Sequence, residues 1–205
     1  NVVDFCQKYG FYLIYISTDF VFNGRKNGVY TEKDKPNPIE WYGQTKYWAE
    51  QEVLQSNLTA VIARIAYPFR AEFSDKADIV RKILAGLKSD NLFPMFADQV
   101  ITPTFIDDIA RGIKALMEKK STGIYHLVGS THVSPYQLAQ KITQVFGFNR
   151  QSGQARGLCR LAIALPDNAR PWQKNLALSN KKITGLNVKM KTLKESLFFL
   201  KTQLS

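Results

Sequence analysis

Three side chains in the first quarter of the chain carry the types and the spacing that acid–base chemistry on a carbonyl requires. Ser17-Thr18-Asp19-Phe20-Val21-Phe22 closes an apolar run, and Tyr42-Gly43-Gln44-Thr45-Lys46 follows a polar loop. On a helix, Tyr42 and Lys46 share one face, with about 5–6 Å between their Cβ atoms. A phenol of pKa about 10 is a poor proton donor near neutrality. A neighbouring ammonium favours the phenolate and draws that value down. With the Thr18 hydroxyl sharing a carbonyl oxygen with Tyr42, the set becomes a device for protonating a ketone while something else delivers hydride.

For these groups to meet, Thr18 must end a strand and Tyr42 must lie in the first turns of a helix. Phe11-Tyr12-Leu13-Ile14-Tyr15-Ile16 reads as a buried strand ending at Ser17-Thr18, the carboxyl end at which open α/β sheets place ligands. Before it, residues 1–10 read as a helix tail closed by Gly10. Asn37, Pro38 and Glu40 have the chemistry of an N-cap, a first helical residue and a capping-box acid. They predict a helix through Trp41, Trp48 and Val53 to about Ser56, with both tryptophans in core packing. Residues 59–65 form the next apolar, β-branched strand. An amphipathic helix is expected over 78–88 and a short strand over 93–96. Thr104 and Asp107 have capping-box spacing for a helix reaching Lys119, with Asp107 and Asp108 complementing its dipole. A strand over 123–128 and a helix opened by Ser134-Pro135-Tyr136-Gln137 follow. Residues 161–165 fit strand or helix equally. Ser179 is a cap for a short helix toward Gly185, and 193–200 is a closing amphipathic helix.

Composition narrows the class. With 205 residues, 45% apolar and 22% charged, the chain is globular and long enough for one large domain or two small ones. No apolar run approaches the roughly 18 residues of a membrane span, and the start has no signal-peptide pattern. Cys6 and Cys159 are isolated, without metal or redox spacing, as expected of small packers in a cytoplasmic protein. The net charge is +11, but the lysines are dispersed, the densest group being Lys181, Lys182, Lys189, Lys191 and Lys194. Without a nucleic-acid-binding motif they read as a solvated basic face, and no specific nucleic-acid partner is expected. His126, within an apolar strand, reads as structural, and His132 as an exposed turn residue; two such distant histidines give no metal pattern.

Ser-Thr-Asp-x-Val-Phe followed by Tyr-x-x-x-Lys resembles the extended short-chain dehydrogenase/reductases, and within them the dTDP-4-dehydrorhamnose reductase-like branch. Asp34-Lys35-Pro36-Asn37-Pro38, Asp98-Gln99 with Thr102-Pro103-Thr104, Gly123-Ile124-Tyr125-His126 and Ala169-Arg170-Pro171 are similar to that branch as well. The resemblance implies an α/β fold: the C-terminal part of a doubly wound NAD(P)-binding Rossmann-like fold plus a small α/β substrate-binding lobe. Residues 1–65 would hold the second half of the sheet with the Thr, Tyr and Lys. Residues 66–205 would be mainly the lobe, interleaved with returning sheet and helix segments.

The resemblance also implies an activity: NADPH- or NADH-dependent reduction of the 4-keto group of a nucleotide-activated 6-deoxy sugar, with a homodimer as a compatible state. Tyr42 would give the proton. Lys46 would lower the Tyr42 pKa and hold the nicotinamide ribose, while Thr18 polarises the ketone. Thr18, Asp19, Tyr67 and Gln99 fall on the substrate side, and Arg170 near the nucleotide phosphates. Gly24 and Gly28 lie in a loop and open no helix, so neither belongs to the Gly-x-Gly-x-x-Gly turn of such folds. The resemblance therefore implies a chain that enters the fold partway and binds dinucleotide poorly by itself. Phe20 stands where the related 4,6-dehydratases carry a basic glutamate, and cannot act as one. An epimerase needs only the same Tyr, Lys and hydroxyl set. The regulatory subunit of S-adenosylmethionine synthetase resembles the same branch and acts through protein contacts, which keeps a non-catalytic role open.

Overall fold

A computed structural model describes residues 2–71, 76–148, 162–163 and 172–204. In chain order these form α1 (Val2–Tyr9), β1 (Leu13–Thr18), a 3-10 turn (Asp19–Val21), α2 (Trp41–Gln55), β2 (Ala60–Ile65), β3 (Pro68–Phe69) and α3 (Ile79–Lys88). β4 (Met95–Phe96), β5 (Thr104–Phe105), α4 (Ile106–Glu118), β6 (Gly123–His126), α5 (Pro135–Phe146), β7 (Ala162–Ile163), α6 (Lys181–Thr184) and α7 (Leu193–Leu204) follow.

The central sheet has the order β1-β2-β6, with both pairings parallel. Leu13 to Thr18 lie opposite Ala60 to Ile65, and Val61 to Arg64 lie opposite Gly123 to His126. Parallel neighbours need a crossover, which α2 supplies between β1 and β2, and each face of the sheet is covered. Successive strand residues point to opposite faces. Leu13 and Tyr15 pack with Val3, Val53, Ala60 and Ile62 on one side. Ile14 and Ile16 pack with Val61, Ala63, Ile109 and Leu116 on the other. A separate core gathers Val80, Ile83 and Leu87 of α3, Leu138 and Ile142 of α5, and Leu197 and Leu200 of α7 around Phe69 and Phe105. Short parallel pairs β3–β5 and β4–β7 edge this second layer. Among the described residues, no helix is long and apolar enough to cross a membrane.

Several boundaries differ from the sequence expectation, for local reasons. The helix carrying Tyr42 begins at Trp41, not at Pro38. The Asn37 N–H bonds to the Val21 carbonyl at 2.9 Å and keeps that segment outside the helix, so Glu40 becomes the N-cap. Thr104 caps nothing. It lies in β5, its hydroxyl donating to the Thr102 carbonyl and accepting the Gly129 N–H, and α4 starts after Phe105 without a side-chain cap. The capping box at Ser134 and Gln137 forms as the sequence indicates, with Gly147 closing α5 in the left-handed region. Asn180 rather than Ser179 is the N-cap of α6, although Ser179 Oγ still accepts the Lys181 N–H at 3.3 Å. Trp41 and Trp48 are not core residues. They are 71% and 53% exposed and meet edge-on along the outer face of α2. Lys191 does not belong to a solvated basic face: it is buried and paired with buried Asp108 at 2.7 Å. Cys6 is free and buried, while Cys159 lies outside the described residues.

Candidate active site

Thr18 is the last residue of β1 and also the N-cap of the 3-10 turn, where its Oγ1 accepts the Phe20 N–H at 3.3 Å. That double role fixes its hydroxyl at the sheet's carboxyl end. Opposite it, the Glu40 carboxylate accepts the N–H groups of Tyr42 and Gly43, two of the four donors a helix start leaves unpaired. Gly43 is buried under this cap. A Cβ there would collide with the Phe20 carbonyl oxygen, so only glycine lets the first turn of α2 press onto the turn after Thr18. The ring of Phe20 meets that of Tyr42 edge-on at 6.0 Å.

This docking brings the predicted trio together. The Thr18 hydroxyl is close enough to the Tyr42 phenol to pull its pKa downward by hydrogen bonding. The Lys46 ammonium lies 5.9 Å from the centre of the Tyr42 ring and 5.3 Å from that of Tyr15, and donates to the Ile16 carbonyl at 3.1 Å. The expected depression of the Tyr42 pKa is not what results. Burial pushes the phenol above its ordinary value, and the charges of Asp19 and Glu40 add to the rise, outweighing the Thr18 hydrogen bond. Neither opposing effect can be read from Tyr-x-x-x-Lys spacing.

The remaining predicted residues separate into groups. Asp19 is 2% exposed. Its Oδ1 accepts the Thr18 hydroxyl at 3.0 Å, and its Oδ2 has no hydrogen-bond partner among the described residues. Burial raises the Asp19 carboxyl to about 7, against the pull of Thr18 and of the Asp19 and Phe20 backbone N–H groups. Tyr67 sits beside this cluster with a positive φ of 41° and its ring 6.5 Å from Phe20. Burial, then the Asp19 charge, raises its phenol. Gln99 is buried and donates to the Gln173 carbonyl at 3.2 Å, a structural partner the local sequence does not announce. The neighbouring Asp98 lines a groove of about 630 Å³ with Arg25, Lys26, Trp172, Lys174 and Asn175, and none of Thr18, Tyr42 or Lys46 borders it. Arg170 lies outside the described residues. Beneath the trio is a network that sequence reasoning missed. Ser17 Oγ donates to Glu50 at 2.5 Å, and Arg64 grips the same carboxylate through Nε at 2.8 Å and Nη2 at 2.6 Å, all of them buried. Glu50 stands one turn beyond Lys46, on the Tyr42 face, and Arg64 is the lone charge in an apolar strand. Those two signals could have found it.

A parallel sheet with helical crossover, and a hydroxyl pair and a lysine gathered at the carboxyl end of its first strand, define an α/β protein of Rossmann-like fold. The chain belongs to the family described as the RmlD substrate binding domain, whose model matches residues 1–197. It is 32% identical over 136 residues to the probable low-salt glycan biosynthesis reductase Agl14 of Haloferax volcanii, covering 65% of this chain and 45% of that protein. It is also 32% identical over 212 residues to the methionine adenosyltransferase 2 subunit beta of Rattus norvegicus, covering 97% of this chain and 60% of that one. The chain thus spans about half the length of these curated relatives. Among solved structures, the dTDP-4-dehydrorhamnose reductase of Bacillus anthracis in complex with NADP is similar at 25% identity and a TM-score of 0.81, over 98% of this chain and 68% of that one.

Proposed function

We propose that this chain carries the proton-delivering side of an oxidoreductase that uses NADPH or NADH to reduce the 4-keto group of a nucleotide-activated 6-deoxy sugar. The observation that supports it most is the meeting of Thr18, Tyr42 and Lys46 at the carboxyl end of β1. The similarity to reductases, one of them an NADP complex, supports the same class. The residues present fit the ribose end of a nicotinamide cofactor. Lys46 commits one of its three ammonium donors to Ile16, which steadies it beside Tyr42 and leaves donor capacity for ribose hydroxyls. That cofactor, when bound, supplies the hydride. Tyr42 Oη gives its proton to the ketone oxygen. Its raised pKa keeps it in the donor form at neutral pH, and the phenolate left behind is stabilised by the Lys46 ammonium beside its ring.

In this reading, residues 1–65 hold the reacting groups, and 66–205 mainly the sugar-nucleotide lobe with Tyr67, Gln99 and Arg170. Asp19 acts at the substrate side, and the protein works in the cytoplasm, with a homodimer as a compatible state. A second reading follows from the match to the subunit beta over 97% of the chain, that of a regulatory subunit. One pair of assays separates them: NADPH and NADH consumption by the full-length protein with a dTDP-4-keto-6-deoxy sugar, and co-elution with a methionine adenosyltransferase catalytic subunit. Steady consumption is expected; co-elution without consumption would replace the first reading by the second.

A further inference from the structure

Thr18 has one proton and two claims on it. Its hydroxyl donates to Asp19 Oδ1 at 3.0 Å, whereas ketone reduction as read above needs it to donate to the reacting oxygen. A hydroxyl offers one O–H and two acceptor lone pairs, and an ionised carboxylate only accepts. One Thr18 lone pair already takes the Phe20 N–H. While Asp19 is ionised, therefore, the Thr18 proton is held by Asp19. That donor is then turned away from substrate. Once Asp19 carries a proton the bond reverses. Asp19 O–H donates to Thr18 Oγ1, both lone pairs are filled, and the Thr18 proton is left to the ketone oxygen.

We propose that Asp19 is a positioning residue working as a neutral carboxylic acid, whose protonation turns the Thr18 hydroxyl toward the reacting oxygen. The inference rests on Thr18 and Tyr42 being the donors of the proposed reduction. The surroundings suit the neutral form. Asp19 is buried in the 3-10 turn with Oδ2 unpartnered and no ion pair among the described residues. The titratable groups that face it are phenols, Tyr42 from α2 and Tyr67 after β2. Glu40, acting on Tyr42 from the cap of α2, adds negative charge, and the nearby Lys46 is engaged with Ile16. Against these, two backbone N–H groups and Thr18 favour the carboxylate. The balance near 7 populates both forms at neutral pH.

The test needs no cofactor. Infrared spectra of the 205-residue chain, taken across pH, follow the carboxylic C=O band that Asp19→Asn abolishes. The expected band fades with a midpoint near 7. In Thr18→Val the midpoint moves upward, because the carboxylate has lost a donor; this second variant decides the matter if Asp19→Asn does not fold. A carboxylate at every pH above 5, or a midpoint unmoved in Thr18→Val, overturns the proposal. In the turning-over protein, the rate falls about tenfold per pH unit above the Asp19 midpoint. Asp19→Asn, whose amide donates to Thr18 at every pH, abolishes that fall. A wild-type rate unchanged across the Asp19 titration also overturns it. The infrared midpoint is indifferent to whether any ketone is reduced, so loss of the proposed function and loss of this inference are separate results.

Discussion

Asp19 and His126 are both buried titratable residues, and their perturbations run in opposite directions. Asp19 rises from 3.8 to about 7 through burial. Its contribution to stability is therefore full below 3.8 and is lost as pH rises through 7. His126, fully buried, falls from 6.5 to about 3 through burial and then the neighbouring Arg64 charge. Its contribution is full above 6.5 and lost as pH falls through 3. Between 3.8 and 6.5 the two offset one another. Urea unfolding midpoints followed over this window should fall more steeply on acidification for Asp19→Asn than for the wild type, and less steeply for His126→Phe. Parallel curves for all three would remove both perturbations. At this scale, what the sequence made legible were the residues whose meaning lies in spacing. Thr18, Tyr42 and Lys46 were found because a strand end, the helical period and the family resemblance point to the same three residues. Glu50 and Arg64 were not, because charged residues on helices and strands are usually solvated, and only the tertiary pairing of α2 with β2 makes them partners. The direction of the Tyr42 shift was misread for the same reason, since burial and the Asp19 and Glu40 charges are properties of the fold.

At the scale of the element, α2 is placed by its first turn. Alanine ordinarily stabilises a helix over glycine by about 1 kcal/mol. At Gly43 the sign should invert, because the added methyl meets the Phe20 carbonyl oxygen. Overpacking of this kind costs about 1–3 kcal/mol. Gly43→Ala should therefore lower the unfolding free energy by that amount and also reduce turnover, since the same shift parts Tyr42 from Thr18. A stabilised or unchanged variant would mean that α2 does not dock so tightly. The sequence indicated this helix but misplaced its start: Asn37-Pro38 has good cap chemistry, yet the Asn37 N–H is taken by Val21 of the preceding turn. Ser134 to Gln137, with no such competitor, read correctly. Trp41 and Trp48 were assigned to packing by residue type alone, and the orientation of α2 leaves them outward.

For the whole molecule, the α/β class was legible because apolar β1 and β2 are separated by a helix-length segment, as a parallel crossover requires, and because the motifs resemble a family of that fold. The second core was not, since Phe69, Phe105, Leu138 and Leu197 come from four distant segments whose periodicities do not announce their partners. Sheet and second core together leave one arrangement on which the functional account depends, a phenol held in its protonated form beside a threonine and a lysine. The measurement that tests it most directly is the steady-state reduction of a dTDP-4-keto-6-deoxy sugar by Tyr42→Phe in the full-length protein. The account predicts a rate constant lowered by about 10²–10⁴-fold with substrate affinity nearly unchanged, because only the proton donor is gone. A turnover equal to that of the wild type would contradict it.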